Sequence, residues 1–169
     1  MRFTFSEDTD LERKRLECLQ YLSRSRVDVG LTSTASGRSR FLMAIHEHGA
    51  PGAHIPARPV IEPALADDTA RAEMAEGFLS AASAAMEGDM DAVRSALESA
   101  GQAGADAIRG YIDAGVPPPN APLTISGGWI RNFSSGKPVH ISGKGFDKPL
   151  YDTGELYRAF DFEVRKRSG

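Results

Sequence analysis

Apolar and polar positions along this chain alternate, recur at helical spacing, or give way to glycine and proline, and these three regimes divide it into elements. "MRFTF", at residues 1–5, alternates and predicts a short strand. Asp8, Thr9 or Asp10 can cap a helix over roughly 9–24, where Leu11, Leu16, Leu19 and Leu22 recur near one face and Arg13, Lys14 and Arg24 are left for solvent. Cys18 falls in the same pattern and is expected to pack there. "RVDVGLTS" sets Val27, Val29 and Leu31 against Asp28 and Gly30, the pattern of a half-buried strand. A Ser/Gly/Arg-rich turn is expected over 32–40, then a short helical turn or strand end at Phe41, Leu42 and Ile45. Gly49, Pro51, Gly52, Pro56 and Pro59 deny the next stretch a long helix and predict a largely extended connector.

From Val60 to Met86 the chain is alanine-rich and helix-permissive, with Ile61, Leu65, Met74, Phe78, Leu79 and Met86 as the expected inward positions. Gly88 interrupts it. Asp89 can cap a second long helix that runs to about Ala114 and stops at Gly115 and the prolines at 117–119. Met90, Val93, Leu97, Gly104, Ile108 and Ile112 form its stripe. "GGWIRNFSSGKPVHIS" predicts a hairpin turning at Ser134, Ser135 and Gly136. "KPLYDTGELYRAFDFEVRKR" predicts a Pro-Leu turn, a short helix capped by Asp152 or Thr153, and a strand in which Phe160, Phe162 and Val164 alternate with Asp161, Glu163 and Arg165. The sum is an α+β fold: a small, mainly antiparallel sheet packed with two principal α-helices, plus an extra hairpin.

At 169 residues the economical organisation is one domain over 1–169 with a hairpin insertion at 127–147, although one core with an appended arm fits the same length. The 41 % hydrophobic and 25 % charged residues are ordinary for a folded body. A net charge of −3 argues against holding nucleic acid by bulk phosphate neutralisation, local basic patches aside. The one cysteine leaves no intrachain disulfide and fits a reducing compartment. The charged N-terminus is not a signal peptide, and "GFLSAASAAM" is too short to span a bilayer, so a soluble protein with no membrane partner is expected.

Three of the four histidines, His46, His48 and His54, lie in "AIHEHGAPGAHIPARPVIEPAL", with Glu47 or Glu62 able to complete a metal site. The spacing is not that of H-E-x-x-H and no cysteine pair assists; on a strand His46 and His48 would share a face, and on a helix they would point to different sides. Structural or surface histidines are therefore the favoured reading, and no metal is expected. Cys18 or a serine could be paired with a histidine on paper, but there is no G-x-S-x-G elbow, and "SGKGFDK" misses the P-loop spacing. Asp67, Asp68, Glu73 and Glu76 read as a solvated helix face, and Arg165, Lys166 and Arg167 as a solvated terminal run. No catalytic residue or cofactor is expected. Arg58, held between Ala57 and Pro59, can present its guanidinium at little cost in backbone freedom to a carboxylate or a carbonyl cluster, either to anchor the connector internally or to contact a neighbouring subunit.

The order "VDVGL", "IHEHG", "IPARP", "PPPNAPLTI" and "KPLYDTGEL", over roughly 26–167, resembles the tail-completion or neck proteins of long-tailed bacteriophages and prophages, minor virion morphogenesis proteins of the head–tail joint. His48 and Val60 stand where that family has aromatics, and the hairpin between Ile125 and Lys148 replaces a shorter lysine-rich connector. The resemblance implies a small α+β fold, a structural and non-enzymatic role, and a sixfold ring at the head-proximal end of the tail. It also implies location in the virion, after assembly in the host cytoplasm. Partners would be further copies of the chain, a tail terminator or tail tube protein, and a head connector or stopper, with packaged DNA crossing the ring without specific binding; the net charge of −3, apart from the resemblance, suggests an acidic lumen. The residues it marks as architectural or subunit-contacting are Glu47, Gly49, Pro56, Arg58, Pro59, Pro149, Asp152, Thr153, Gly154 and Leu156. A tail terminator capping the tube is the near alternative; a metal-dependent enzyme using His46, His48 and His54, and a nucleic-acid-binding module, are the distant ones.

Overall fold

The computed structural model describes residues 9–132, 134–151 and 153–167. The "MRFTF" strand and the caps at Asp8 and Asp152 lie outside those residues. Helix α1 (Thr9–Arg24) runs directly into strand β1 (Ser25–Leu31). After it come α2 (Gly37–His48), a 3-10 turn at Pro51–Ala53, α3 (Ile61–Ala66), α4 (Asp68–Glu87) and α5 (Met90–Ala114). The chain closes with α6 (Pro122–Ser126), β2 (Gly127–Arg131), β3 (Pro138–Ser142), α7 (Glu155–Ala159) and β4 (Phe160–Lys166). The architecture is α+β, with two small antiparallel sheets, β1–β4 and β2–β3.

Alternation along β1 and β4 produces their pairing. Val27 faces Val164, Val29 faces Phe162 and Leu31 faces Phe160, so the apolar positions share the face covered by α5. On the polar face Asp28 stands opposite Glu163, a like-charge pair that would repel. Arg165 lies beside both carboxylates, and Arg26 approaches Asp28 at 3.2 Å. Helix α5 crosses close to the sheet because Gly101 and Gly104 face it. A Cβ at Gly101 would run into the Phe162 ring, and one at Gly104 would lie 3.0 Å from Val29.

Helices α4 and α5 form the expected antiparallel pair. Gly88 ends α4 at φ +77, and the Asp89 carboxylate accepts from the Ala92 N–H at 2.9 Å. Along α5 the stripe of Val93, Leu97, Gly104, Ile108 and Ile112 is buried. The expected face of α4 requires correction. Its buried residues are Ala70, Gly77, Ala81, Ala84 and Ala85, whereas Phe78, Leu79 and Met86 are 46 %, 72 % and 58 % exposed. The seam is too narrow for large side chains, since a Cβ at Gly77 would come within 2.9 Å of the Ala100 Cα. Of the other expected positions, Ile61, Leu65 and Met74 are partly buried.

Three further readings change. In α1 the inward residues are Leu11, Arg15, Cys18 and Leu22, while Leu16 and Leu19 are exposed. Arg15 stays inward because its Nε donates to the Met86 carbonyl at the end of α4, at 2.6 Å. Cys18 is buried, and burial pushes its thiol pKa up, so it packs as a small apolar residue. The turn expected over 32–40 is shorter: Ser36 Oγ accepts from the Ser39 N–H at 3.0 Å and starts a helix that leaves Phe41 exposed. The helix-permissive region from Val60 breaks at Asp67, whose carboxylate caps α4 by accepting from Thr69 and Ala70. Among the described residues, no helix is long and apolar enough to cross a membrane.

Candidate functional site

The stretch from His46 to Val60 is built by two reversals. Gly49 ends α2 at φ +72, and a Cβ there would lie 2.8 Å from the Ala57 nitrogen, so the returning chain needs glycine. Ala50 and Ile55 then exchange backbone hydrogen bonds of 2.8 and 3.1 Å around the 3-10 turn. The expected extended connector is thus a closed loop as far as Ile55, and extended only from Pro56, because the Ala50–Ile55 bridge satisfies backbone groups that an extended chain would leave to water.

Arg58 follows and points inward. It is 6 % exposed; its Nε donates to the Pro118 carbonyl at 2.8 Å and its Nη2 to the Pro119 carbonyl at 3.0 Å. Its own N–H donates to the His46 carbonyl at 2.5 Å. Burial pulls the guanidinium pKa below its ordinary value, opposed by Asp147, but the group stays charged because its starting point is so high. Next to it, the buried Val60 donates its N–H to Glu47 Oε2 at 3.3 Å, and Pro56 and Pro59 flank Arg58 on the surface.

The C-terminal motifs reach the same place. Asn120 donates its N–H to Asp147 at 2.9 Å, and Lys144 Nζ donates to the Lys148 and Tyr151 carbonyls at 2.8 and 2.9 Å. That pair of bonds spans the turn containing the buried Pro149 and Leu150, the latter at φ +64. Lys148 and Tyr157 both donate to Asp113, at 2.6 and 2.8 Å, which holds the Asp113 carboxyl below and the Lys148 ammonium above their usual ranges. Thr153 Oγ1 accepts from the Glu155 N–H at 3.3 Å, Gly154 caps α7 at φ +76, and Leu156 enters the core beside Met43, Val60 and Phe160. Glu155 in turn accepts from Ser36 and Ser39, at 3.0 and 3.3 Å, tying α7 to the start of α2.

Between these segments lies a cavity of about 230 Å³, lined in part by His46, Asn120, Thr124, Lys144, Tyr151 and Glu155. Among the described residues, His46 Nδ1 and Asn120 Nδ2 are buried without a hydrogen-bond partner. Burial lowers the His46 pKa from 6.5, and the nearby Arg58 and Lys144 lower it further, so the ring is neutral at pH 7. His48 and His54 are exposed, the latter at φ +55 behind the 3-10 turn, and because α2 is helical His46 and His48 diverge. Among the described residues, no three His, Cys, Asp or Glu side chains gather so as to hold a metal ion.

The hairpin of β2 and β3 is the feature whose surface character the sequence reading passed over. Trp129 is 72 % exposed and meets His140 edge to face at 5.2 Å, while Val139 and Ile141 are also exposed. A signal was present: the chain's single tryptophan sits in a stretch with no acidic residue between Asp113 and Asp147. Comparison of the chain with protein-family models, with curated proteins and with solved structures finds no match.

Proposed function

We propose that this chain is a structural virion protein of a long-tailed phage or prophage, completing the tail and joining it to the head within a neck ring. One observation carries the reading. Four of the five motifs that bear the resemblance are far apart in sequence, yet they meet in a single hydrogen-bonded assembly, while "VDVGL" lies apart from it in β1. Arg58 of "IPARP" bonds the carbonyls of "PPPNAPLTI" and the His46 carbonyl of "IHEHG", and residues from "IHEHG", "PPPNAPLTI" and "KPLYDTGEL" together line the cavity. The bonds fix chain paths, which is what a scaffold presenting rigid edges to neighbours requires.

In this reading identical subunits bury edges against one another. One face of the ring meets the tail terminator or tube, and the other meets the head connector or stopper. Packaged DNA passes through a lumen whose acidic character offers few phosphate contacts. The role is architectural and not enzymatic. Electron microscopy of particles made after deleting the gene, with complementation, tests it. DNA-filled heads beside free tails of normal length are expected; tails of uncontrolled length would assign the chain as the tail terminator instead, and intact infectious particles would refute a joining role.

A further inference from the structure

The β2–β3 hairpin is built to be covered. A two-stranded sheet is at best marginally stable alone in water, and within one chain this one packs chiefly on α6. One of its faces carries Trp129, His140 and Arg131; the other carries Ile130, Val139 and Ile141. Every residue of β3 is exposed. Arg131 and Lys137 have no acidic partner among the described residues, and the hairpin holds no carboxylate although the whole chain is net −3.

A surface of the opposite kind lies elsewhere on the same chain. Between α3, α4 and α5 runs a groove of about 420 Å³, lined by small or flat side chains including Ala70, Ala107 and Tyr111 and by three carboxylates: Asp67, which caps α4, Asp106, which pairs with Arg109 at 2.6 Å, and Glu73, which has no ion pair among the described residues. A lining of small residues and carboxylates complements an aromatic hairpin with a basic tip.

We infer that the hairpin of one subunit docks in the α3–α4–α5 groove of a second copy of this chain, with Trp129 against its small residues and Lys137 and Arg131 against its carboxylates. The two patches are different surfaces, so the contact is head to tail, and each subunit gives one hairpin and receives one; such contacts close into rings when the rotation per subunit permits. An exposed tryptophan seated on small residues is the residue type that dominates interfaces, and opposite charges at the rim set register and approach. The inference rests on the ring reading above and names the contact that would build the ring.

The single tryptophan makes the test direct. The emission of Trp129 in the full-length protein is followed as concentration rises, beside sedimentation velocity on the same samples. A blue shift that tracks the appearance of larger species is expected. Glu73→Arg should weaken both signals by about tenfold or more, and the double variant Glu73→Arg with Lys137→Glu should restore them. Circular dichroism confirms that each variant is folded. Absence of any shift, or a shift that Glu73→Arg leaves unchanged, overturns the docking, as does a change seen only on adding duplex DNA and lost in high salt. A phage carrying Glu73→Arg that still joins heads to tails, where gene deletion separates them, overturns the docking and leaves the virion role standing. Association with the expected variant pattern, in a protein whose deletion leaves particles intact, keeps the docking and removes the virion role.

Discussion

Gly77→Ala probes how closely α4 and α5 approach. In an open helix this change is favourable by ~0.5–1 kcal/mol, because glycine loses more backbone entropy on folding than alanine. At position 77 the added methyl would stand 2.7 Å from the Ala100 Cβ and 2.9 Å from its Cα and N. Two of those atoms are backbone and cannot swing aside, so the helices must separate, which loosens Ala81, Ala84 and Ala85 as well. Overpacking of this kind costs ~1–3 kcal/mol, and the net result should be a loss on the order of 1 kcal/mol, or about 2–4 °C in Tm for a chain of this size. Gly110→Ala in α5 is the matched control. Nothing lies within 4 Å of its Cβ position, so the helix-forming gain should appear alone, up to about 1 kcal/mol. Urea titration and thermal melts followed by circular dichroism read both. A Gly77→Ala protein as stable as wild type would refute the narrow seam.

Arg58→Ala removes two bonds from a charged donor and leaves two carbonyls without it, a loss of about 3 kcal/mol or more by chemical denaturation; Arg58→Lys should recover only part, because one ammonium does not reproduce the Nε and Nη2 fork. Glu163 accepts from the Ser33 hydroxyl and N–H and lies beside Arg165, which lowers its pKa from 4.5 to about 2. The folded state therefore takes up this proton later than the unfolded state, so the contribution is complete above pH 4.5 and is lost as pH falls toward 2. Glu163→Gln should flatten that part of the Tm profile, and an unchanged profile would contradict the assignment. His46 is held below its ordinary 6.5, so its contribution is whole above that pH and is lost as pH falls through the folded value. An NMR titration of its ring should give a midpoint under 6.5, and a midpoint at or above it would contradict the burial argument.

Periodicity revealed those elements whose two faces differ in polarity. Val27, Val29 and Leu31 with Phe160, Phe162 and Val164 announced a sheet buried on one side, and Val93 through Ile112 announced the inner face of α5. The inner face of α4 stayed hidden because alanine and glycine barely register as apolar, whereas Phe78, Leu79 and Met86 do and lie outside. Asp67 resembled one more solvated carboxylate until its bonds to Thr69 and Ala70 identified it as a cap. Alternation in 127–142 indicated strands, but it cannot say whether either face is covered. Arg58 stood out for its position between Ala57 and Pro59, but the sequence left a carboxylate and a carbonyl cluster equally open as its partner, and did not say which carbonyls.

That last contact has a consequence for heredity. The oxygens held by Arg58 belong to the main chain, and every amino acid carries the same oxygen, so no codon at 118 or 119 encodes the acceptors as such. A selection for suppressors of Arg58→Ala therefore has no complementary side chain at 118 or 119 to alter, and restored isolates should carry changes at codon 58 or generally stabilising changes elsewhere. One side of this joint can be lost by a single base change, while the other is present whatever the residue, provided the chain keeps its path.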